Sequence, residues 1–232
     1  MKALLMAVKR FWASSVGKKM LVALSALGLM GFLVGHLAGN LLIFKGPEAI
    51  NTYAAKLHDL GPLLWVARIG LLALVGVHIV ATLQLAAGNR AARSQEYMAS
   101  ATLRATVSSR MMVMSGLTIL AFVIYHLLHF TVGNLHGFYD GDGAYRLPDG
   151  RQNVYKMMVT GFSVWFNAGF YVLAMLLLAS HLSHGVSSVF QTLGVTTPRT
   201  RPVFTAAGWL FAIVICGGFI SIPVAVLAGF LK

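Results

Sequence analysis

Apolar residues fall in five long runs, at about 19–44, 62–88, 110–135, 157–190 and 203–231, separated by short polar segments. A run of roughly 20 apolar residues rises about 30 Å as an α-helix, enough to cross the hydrocarbon core of a bilayer. In lipid every backbone N–H and C=O must be paired inside the segment, so these runs predict five transmembrane helices. The fourth run is longer than a bilayer requires, which predicts a helix that tilts or projects into water. Gly217, Gly218 and Pro223 predict a local irregularity in the fifth. Lys2, Lys9 and Arg10 precede the first run as in a signal peptide. That run is too long for such a peptide and no small-residue cleavage site follows it, so it reads as the first membrane helix. The expected fold is an all-α integral membrane bundle, one domain over residues 1–232.

Composition strengthens this reading. Of 232 residues 58% are apolar and only 10% charged, against about 25% charged in a soluble domain, and the mean hydropathy is +0.78. The six carboxylates all lie outside the apolar runs, which leaves no acidic proton relay within the membrane. The single cysteine, Cys216, excludes a disulfide framework, an iron–sulfur site and a cysteine-based zinc site. With no polar segment much beyond twenty residues, the chain has no room for a soluble catalytic domain of its own.

The net charge of +12 would point to nucleic acid in a soluble chain. In a membrane chain it reports topology, and no nucleic-acid role is expected. Five spans place the termini on opposite sides. The side holding the N-terminus and the segments 89–109 and 191–202 carries eleven basic residues and one acid, Glu96. The other side carries seven basic residues and five acids. The positive-inside rule then puts the N-terminus in the cytoplasm and the C-terminus outside. Arg90, Arg93 and Arg104 contribute to a cytoplasmic excess suited to soluble partners or anionic lipid.

The candidate chemistry lies with the histidines. Six of the eight fall within apolar runs: His36, His78, His126, His129, His181 and His184. Ionisable side chains inside a membrane are rare and mark function by default, although one alone can simply bond a neighbouring helix. Depth arranges them in pairs. His36 lies 17 residues past Lys19 and His126 lies 16 past Arg110, or ~25 and ~24 Å from the cytoplasmic edge. His78 lies 12 residues before Arg90 and His181 lies 10 before Gln191, or ~18 and ~15 Å in. Two imidazole pairs at two depths are what two bis-histidine haems need. A non-haem metal would ask for carboxylates or cysteines beside the histidines, and a histidine proton relay does not explain the paired depths. His129 and His184 each follow another histidine by three residues, on adjacent parts of one helical face. Either could replace its neighbour as ligand, or bond a propionate, a quinone or another helix. Gly28, Gly31, Gly35 and Gly39 run beside His36 as a stripe suited to close approach of a helix or a flat ring.

These elements resemble a known family, the single-chain five-helix dihaem cytochrome b (b558-type) subunits of succinate dehydrogenases and fumarate reductases. The resemblance spans essentially the whole chain. It rests on His36-Leu37 with Asn40, His78, Tyr125-His126, His181 with Gly185, and the run Leu193-Gly194-Val195-Thr196-Thr197-Pro198-Arg199. It implies that His36 and His126 ligate a distal haem b, and His78 and His181 a proximal, cytoplasmic-side haem b. The motif match prefers His126 over His129 and His181 over His184. It also implies a flavoprotein subunit bearing FAD and an iron–sulfur subunit on the cytoplasmic face of a bacterial inner membrane. Electrons from succinate would reach a quinone, typically menaquinone, as in respiratory complex II. The chain would thus serve an enzyme without holding the dicarboxylate active site. Some members carry an acid near the outer end of the second helix. Here residues 63–68 read Leu-Leu-Trp-Val-Ala-Arg, and His58, Asp59, Arg68, His129 and His136 are the outer-side candidates for quinone chemistry. The alternatives are a dihaem cytochrome b serving a hydrogenase or formate dehydrogenase, and a haem-free transporter or passive anchor. Against a transporter, the chain shows no internal repeat and no matched pair of broken helices.

Overall fold

A computed structural model describes residues 2–92, 107–139 and 143–232. Arg93, Glu96, Arg104, Asp140 and Asp142 lie outside the described residues, and so do their shares of the charge balance. Among the described residues every regular element is helical. Helix α1 (Lys2–Ala13) leads into α2 (Ser15–Asn40), which is capped by the Ser14 hydroxyl accepting from the Gly17 amide. A 3₁₀ turn, Leu41–Lys45, ends the first span. Next come α3 (Pro47–His58), α4 (Pro62–Ala91), the short α5 (Val107–Arg110) and α6 (Met112–His126). A π-helical turn, Leu127–Val132, continues α6 and stops at Gly133, whose φ of +74° suits a residue without a Cβ. The chain then forms α7 (Val154–Ser163), α8 (Trp165–Thr192) and α9 (Arg201–Leu227).

Five segments are long and apolar enough to cross a membrane: Ser15–Lys45, Pro62–Ala91, Met112–Val132, Trp165–Thr192 and Arg201–Leu227. They coincide with the five apolar runs within a few residues, except the fourth. That run is not one tilted helix. It breaks at Val164, which is extended at φ −78°, ψ 108°. The break is stabilised locally: Asn167 Nδ2 donates to the Gly161 carbonyl at 3.1 Å, and the Ser163 hydroxyl donates to the Val159 carbonyl at 2.8 Å. Trp165 and Phe166, just past the break, are 76% and 62% exposed, as aromatic residues at a membrane–water boundary are. In contrast α9 runs unbroken through Gly217, Gly218 and Pro223. Gly218 sits against Leu37 of α2, where a Cβ would come within 2.8 Å of the Leu37 side chain.

A further helix fills a region expected to be a loop. Residues 47–58 form α3, started by Pro47 at its first turn after Gly46 (φ +100°). Asn51, 1% exposed, ties α3 to α7. It donates to Asn153 Oδ1 at 3.3 Å and accepts from the Tyr155 amide at 3.0 Å. Arg151 adds exposed ion pairs to Glu48 (3.1 Å) and Asp149 (2.6 Å). The Arg151 guanidinium holds the Glu48 carboxyl below its ordinary range, and its backbone and side-chain N–H groups do the same for Asp149.

The core centres on α8 packed along α9, with α2 and α6 against α8. Gly208 allows the closest approach of α9, since a Cβ there would meet the Ser183 carbonyl at 2.5 Å. Helix α4 packs mainly on α2, and only Ala81 of it is buried. Its Leu63, Val66, Ile69 and Leu72 are all 60% or more exposed, a face matched to lipid rather than water.

Candidate functional site

Outer and inner histidines are set by different neighbours. On α2, His36 packs between Phe32 (ring centres 5.1 Å) and Phe219 (5.7 Å). Asn40, one turn on, donates to the His36 carbonyl at 2.7 Å and lies 3.4 Å from its Nδ1. His126 closes α6 and faces His36 edge-on, ring centres 5.9 Å apart. The two histidines paired by depth therefore meet. Metal–imidazole bonds of about 2.0–2.1 Å place the ring centres of a bis-histidine pair roughly 6 Å apart, so this spacing fits one metal atom shared between them.

The second nitrogen of His126 is also engaged, its Nδ1 lying 3.2 Å from the Tyr171 hydroxyl of α8. This leaves Nε2 as the free ring nitrogen. A ligand histidine is held in the same way, one nitrogen tied to a fixed partner so that the other is presented in one tautomer. The inner histidines follow this rule. His78 Nδ1 lies 3.2 Å from the Ser25 hydroxyl of α2. His181 Nδ1 lies 3.0 Å from the Ser115 hydroxyl of α6. The same two serines back-bond within their helices, Ser25 to the Leu21 carbonyl and Ser115 to the Met112 carbonyl.

The two doubtful histidines separate from these four. His129 lies in the π turn and is fully buried. It stacks on Phe130 at 4.0 Å, and its Nδ1 lies 3.0 Å from the same Tyr171 hydroxyl. Its Nε2 has no hydrogen-bond partner and is pressed against Gly161, where a Cβ would come within 2.9 Å of it. His184 is half-buried and borders a cleft between α8 and α9 with Ser187, Gln191, Arg201 and Trp209. Among the described residues no serine hydroxyl reaches its ring as Ser115 reaches that of His181.

The outer-side quinone candidates do not gather at one place. His136 reaches the network, its Nε2 3.0 Å from Asn167 Nδ2 and its ring 4.9 Å from that of His129. Tyr125 donates to Asn167 Oδ1 at 2.9 Å. Arg68 instead lies over Trp65, 5.1 Å from the ring centre, and His58 and Asp59 are exposed at the end of α3. The glycine stripe divides. Gly28 meets Leu74 and Gly39 meets Tyr53, whereas Gly31 and Gly35, flanking His36, have nothing within 4 Å. Among the described residues no three His, Cys, Asp or Glu converge as a metal-ion cage; of the two histidine pairs matched by depth, His36 and His126 meet ring to ring. The residues that sequence reasoning missed are Ser25, Ser115 and Tyr171. Tyr171 was within reach of depth arithmetic, because it lies ten residues, or ~15 Å, outward of His181 on the same helix. No family model, curated protein or solved structure matches the chain.

Proposed function

We propose that the chain is the dihaem cytochrome b membrane anchor of a succinate:quinone oxidoreductase. His36 and His126 serve as axial ligands of an outer haem b, and His78 and His181 of an inner haem b. The observation that carries this reading is the common environment of His78, His126 and His181. Each has Nδ1 within hydrogen-bond distance of a hydroxyl, while His36 faces His126 at 5.9 Å. Haem iron between two neutral imidazoles supplies a one-electron carrier buried in the bilayer. The protein's part is to fix the ring orientations through Ser25, Ser115 and Tyr171. It excludes water with the aromatic residues around His36 and His126, and holds the two sites at different depths along the membrane normal.

The rest of the assignment follows the resemblance and the charge pattern. The N-terminus lies in the cytoplasm and the C-terminus outside. A flavoprotein with FAD and an iron–sulfur subunit dock on the cytoplasmic face of a bacterial inner membrane, and menaquinone exchanges electrons with the buried sites. The purified complex is expected to show a reducible b-type absorption spectrum with two haems per chain by pyridine haemochrome assay. A well-folded preparation without haem would overturn the assignment. Co-purification of a nickel or molybdenum enzyme in place of a flavin-bearing partner would redirect it to a hydrogenase or formate dehydrogenase.

A further inference from the structure

Helix α1 is set off from the span that follows it by a corner at Ser14. That residue is extended at φ −77°, ψ 146°. Its hydroxyl donates to the Phe11 carbonyl (2.9 Å) and accepts from the Gly17 amide (2.9 Å), tying both helices to the corner. Gly17 keeps the corner tight, since a Cβ there would collide with the Phe11 carbonyl. The two sides of α1 differ in chemistry. At about 3.6 residues per turn, Leu5, Val8, Phe11 and Trp12 share one side, and Lys2, Lys9 and Arg10 lie on the other. Leu5, Val8 and Phe11 are 54%, 57% and 47% exposed, so the bundle leaves the apolar side uncovered. Residues 2–47 contain no acid, and Lys18 and Lys19 add two cations at the start of α2. A contiguous exposed apolar side marks a contact with a partner or a membrane. Backed by lysine and arginine, it has the form of a helix that lies in the plane of a bilayer interface.

We propose that α1 is an interfacial docking element for anionic phospholipid. Its Leu5, Val8 and Trp12 side lies among the acyl chains of the leaflet on the N-terminal side of the membrane. Lys2, Lys9 and Arg10, with Lys18 and Lys19, hold the phosphate headgroups. Two features select this occupant. The cations complement phosphate, and no acid in α1 or α2 competes for them. The helix is also continuous with a membrane span, so the corner at Ser14 delivers it to the bilayer surface. Phe11 and Trp12, next to that corner, stand where aromatic rings favour the lipid–water boundary. Anionic lipid, rather than a soluble subunit, then accounts for this share of the positive charge on the N-terminal side. The proposal is independent of the haem assignment, because it uses only α1, the corner and the start of α2.

The test is spin-label accessibility on the full chain in lipid nanodiscs, with single cysteines placed at exposed positions of α1. Cys216 is 2% exposed, so the wild type serves as the unlabelled control. In discs of phosphatidylcholine with phosphatidylglycerol, a label at Val8→Cys is reached by oxygen and shielded from a water-soluble nickel chelate. A label at Lys9→Cys is reached by the chelate, and Leu5→Cys repeats the result of Val8→Cys. In discs of phosphatidylcholine alone the Val8→Cys label gains access to the chelate. Lys2→Gln and Arg10→Gln, added to Val8→Cys in the mixed discs, act in the same direction, each lowering the bound-to-free ratio of α1 by about 5-fold. Equal chelate access at Val8→Cys and Lys9→Cys in the mixed discs would overturn the proposal. So would a Val8→Cys label shielded from both reagents, which would mean that protein covers that side. Accessibility at Val8→Cys that ignores phosphatidylglycerol would overturn the assignment to anionic lipid.

Discussion

The outer and inner halves of the bundle hold their histidines by different means. In the outer half His36 and His126 meet face to edge inside a shell of Phe32, Phe122, Phe130, Phe219 and Tyr171. In the inner half no aromatic ring packs on His78 or His181 among the described residues; each lies within hydrogen-bond distance of a serine hydroxyl from a neighbouring helix, and His78 also bonds the Val22 backbone. The outer site is thus preorganised by packing, which is collective and tolerates loss of one contact. The inner site is preorganised by a few separate hydrogen bonds on helices that include the lightly buried α4, so each substitution there removes a distinct restraint. Packing density and hydrogen bonding are alternative ways of fixing a ring, and this chain uses one at each depth.

Substitutions can break that contrast. The largest effect is expected in the outer half at Gly161. Gly161→Leu drives a side chain into His129 Nε2 and the Phe130 ring, both within 3.1 Å of the Cβ position. Overpacking of this kind costs about 1–3 kcal/mol. Thermal unfolding of the complex in detergent should register it as a lower midpoint, and an unchanged midpoint would mean that the outer shell is loose. Next come Ser115→Ala and Ser25→Ala. Loss of an outer-shell partner typically costs 10- to 100-fold in metal-site affinity. Haem retention during dilution should fall by about 10-fold or more at the inner site, with the outer site unaffected. Equal loss from both sites would erase the contrast. The smallest effect concerns the extramembrane clamp of α3 on α7. Arg151 lowers the pKa values of Glu48 and Asp149, so their contribution is fully present above their ordinary values of 4.5 and 3.8 and is lost as pH falls through the lower folded values. All three groups are exposed, so the effect is modest and screened by salt. A pH titration of stability in wild type and Arg151→Gln should converge at low pH and low salt; curves that stay parallel would remove the ion pairs from the account.

Much of this was legible in the sequence. The five crossing segments follow from run length alone, because lipid admits few other structures. The depth pairing of His36 with His126 needed only the helical rise per residue, and the two rings do meet. Three features were not legible, each for a physical reason. The break at Val164 depends on Asn167 capping the freed Gly161 carbonyl, a contact between residues that look apolar-flanked and helical in sequence. Helices α1 and α3 are short and mixed in polarity, so they read as polar segments. The hydroxyls of Ser25 and Ser115 become partners of histidines only through the rotation of one helix against another, which spacing along a single helix does not encode. His129 against His126 was undecidable by depth for the same reason.

The central claim is that the histidines work as two pairs matched by depth. The most direct measurement is the residual haem absorption spectrum and midpoint potential of four single variants of the complex. The account predicts that His36→Ala and His126→Ala each retain one haem with the same spectrum and potential, and that His78→Ala and His181→Ala share the other. If His36→Ala instead matched His78→Ala, or if any of the four kept both haems, the pairing would be contradicted.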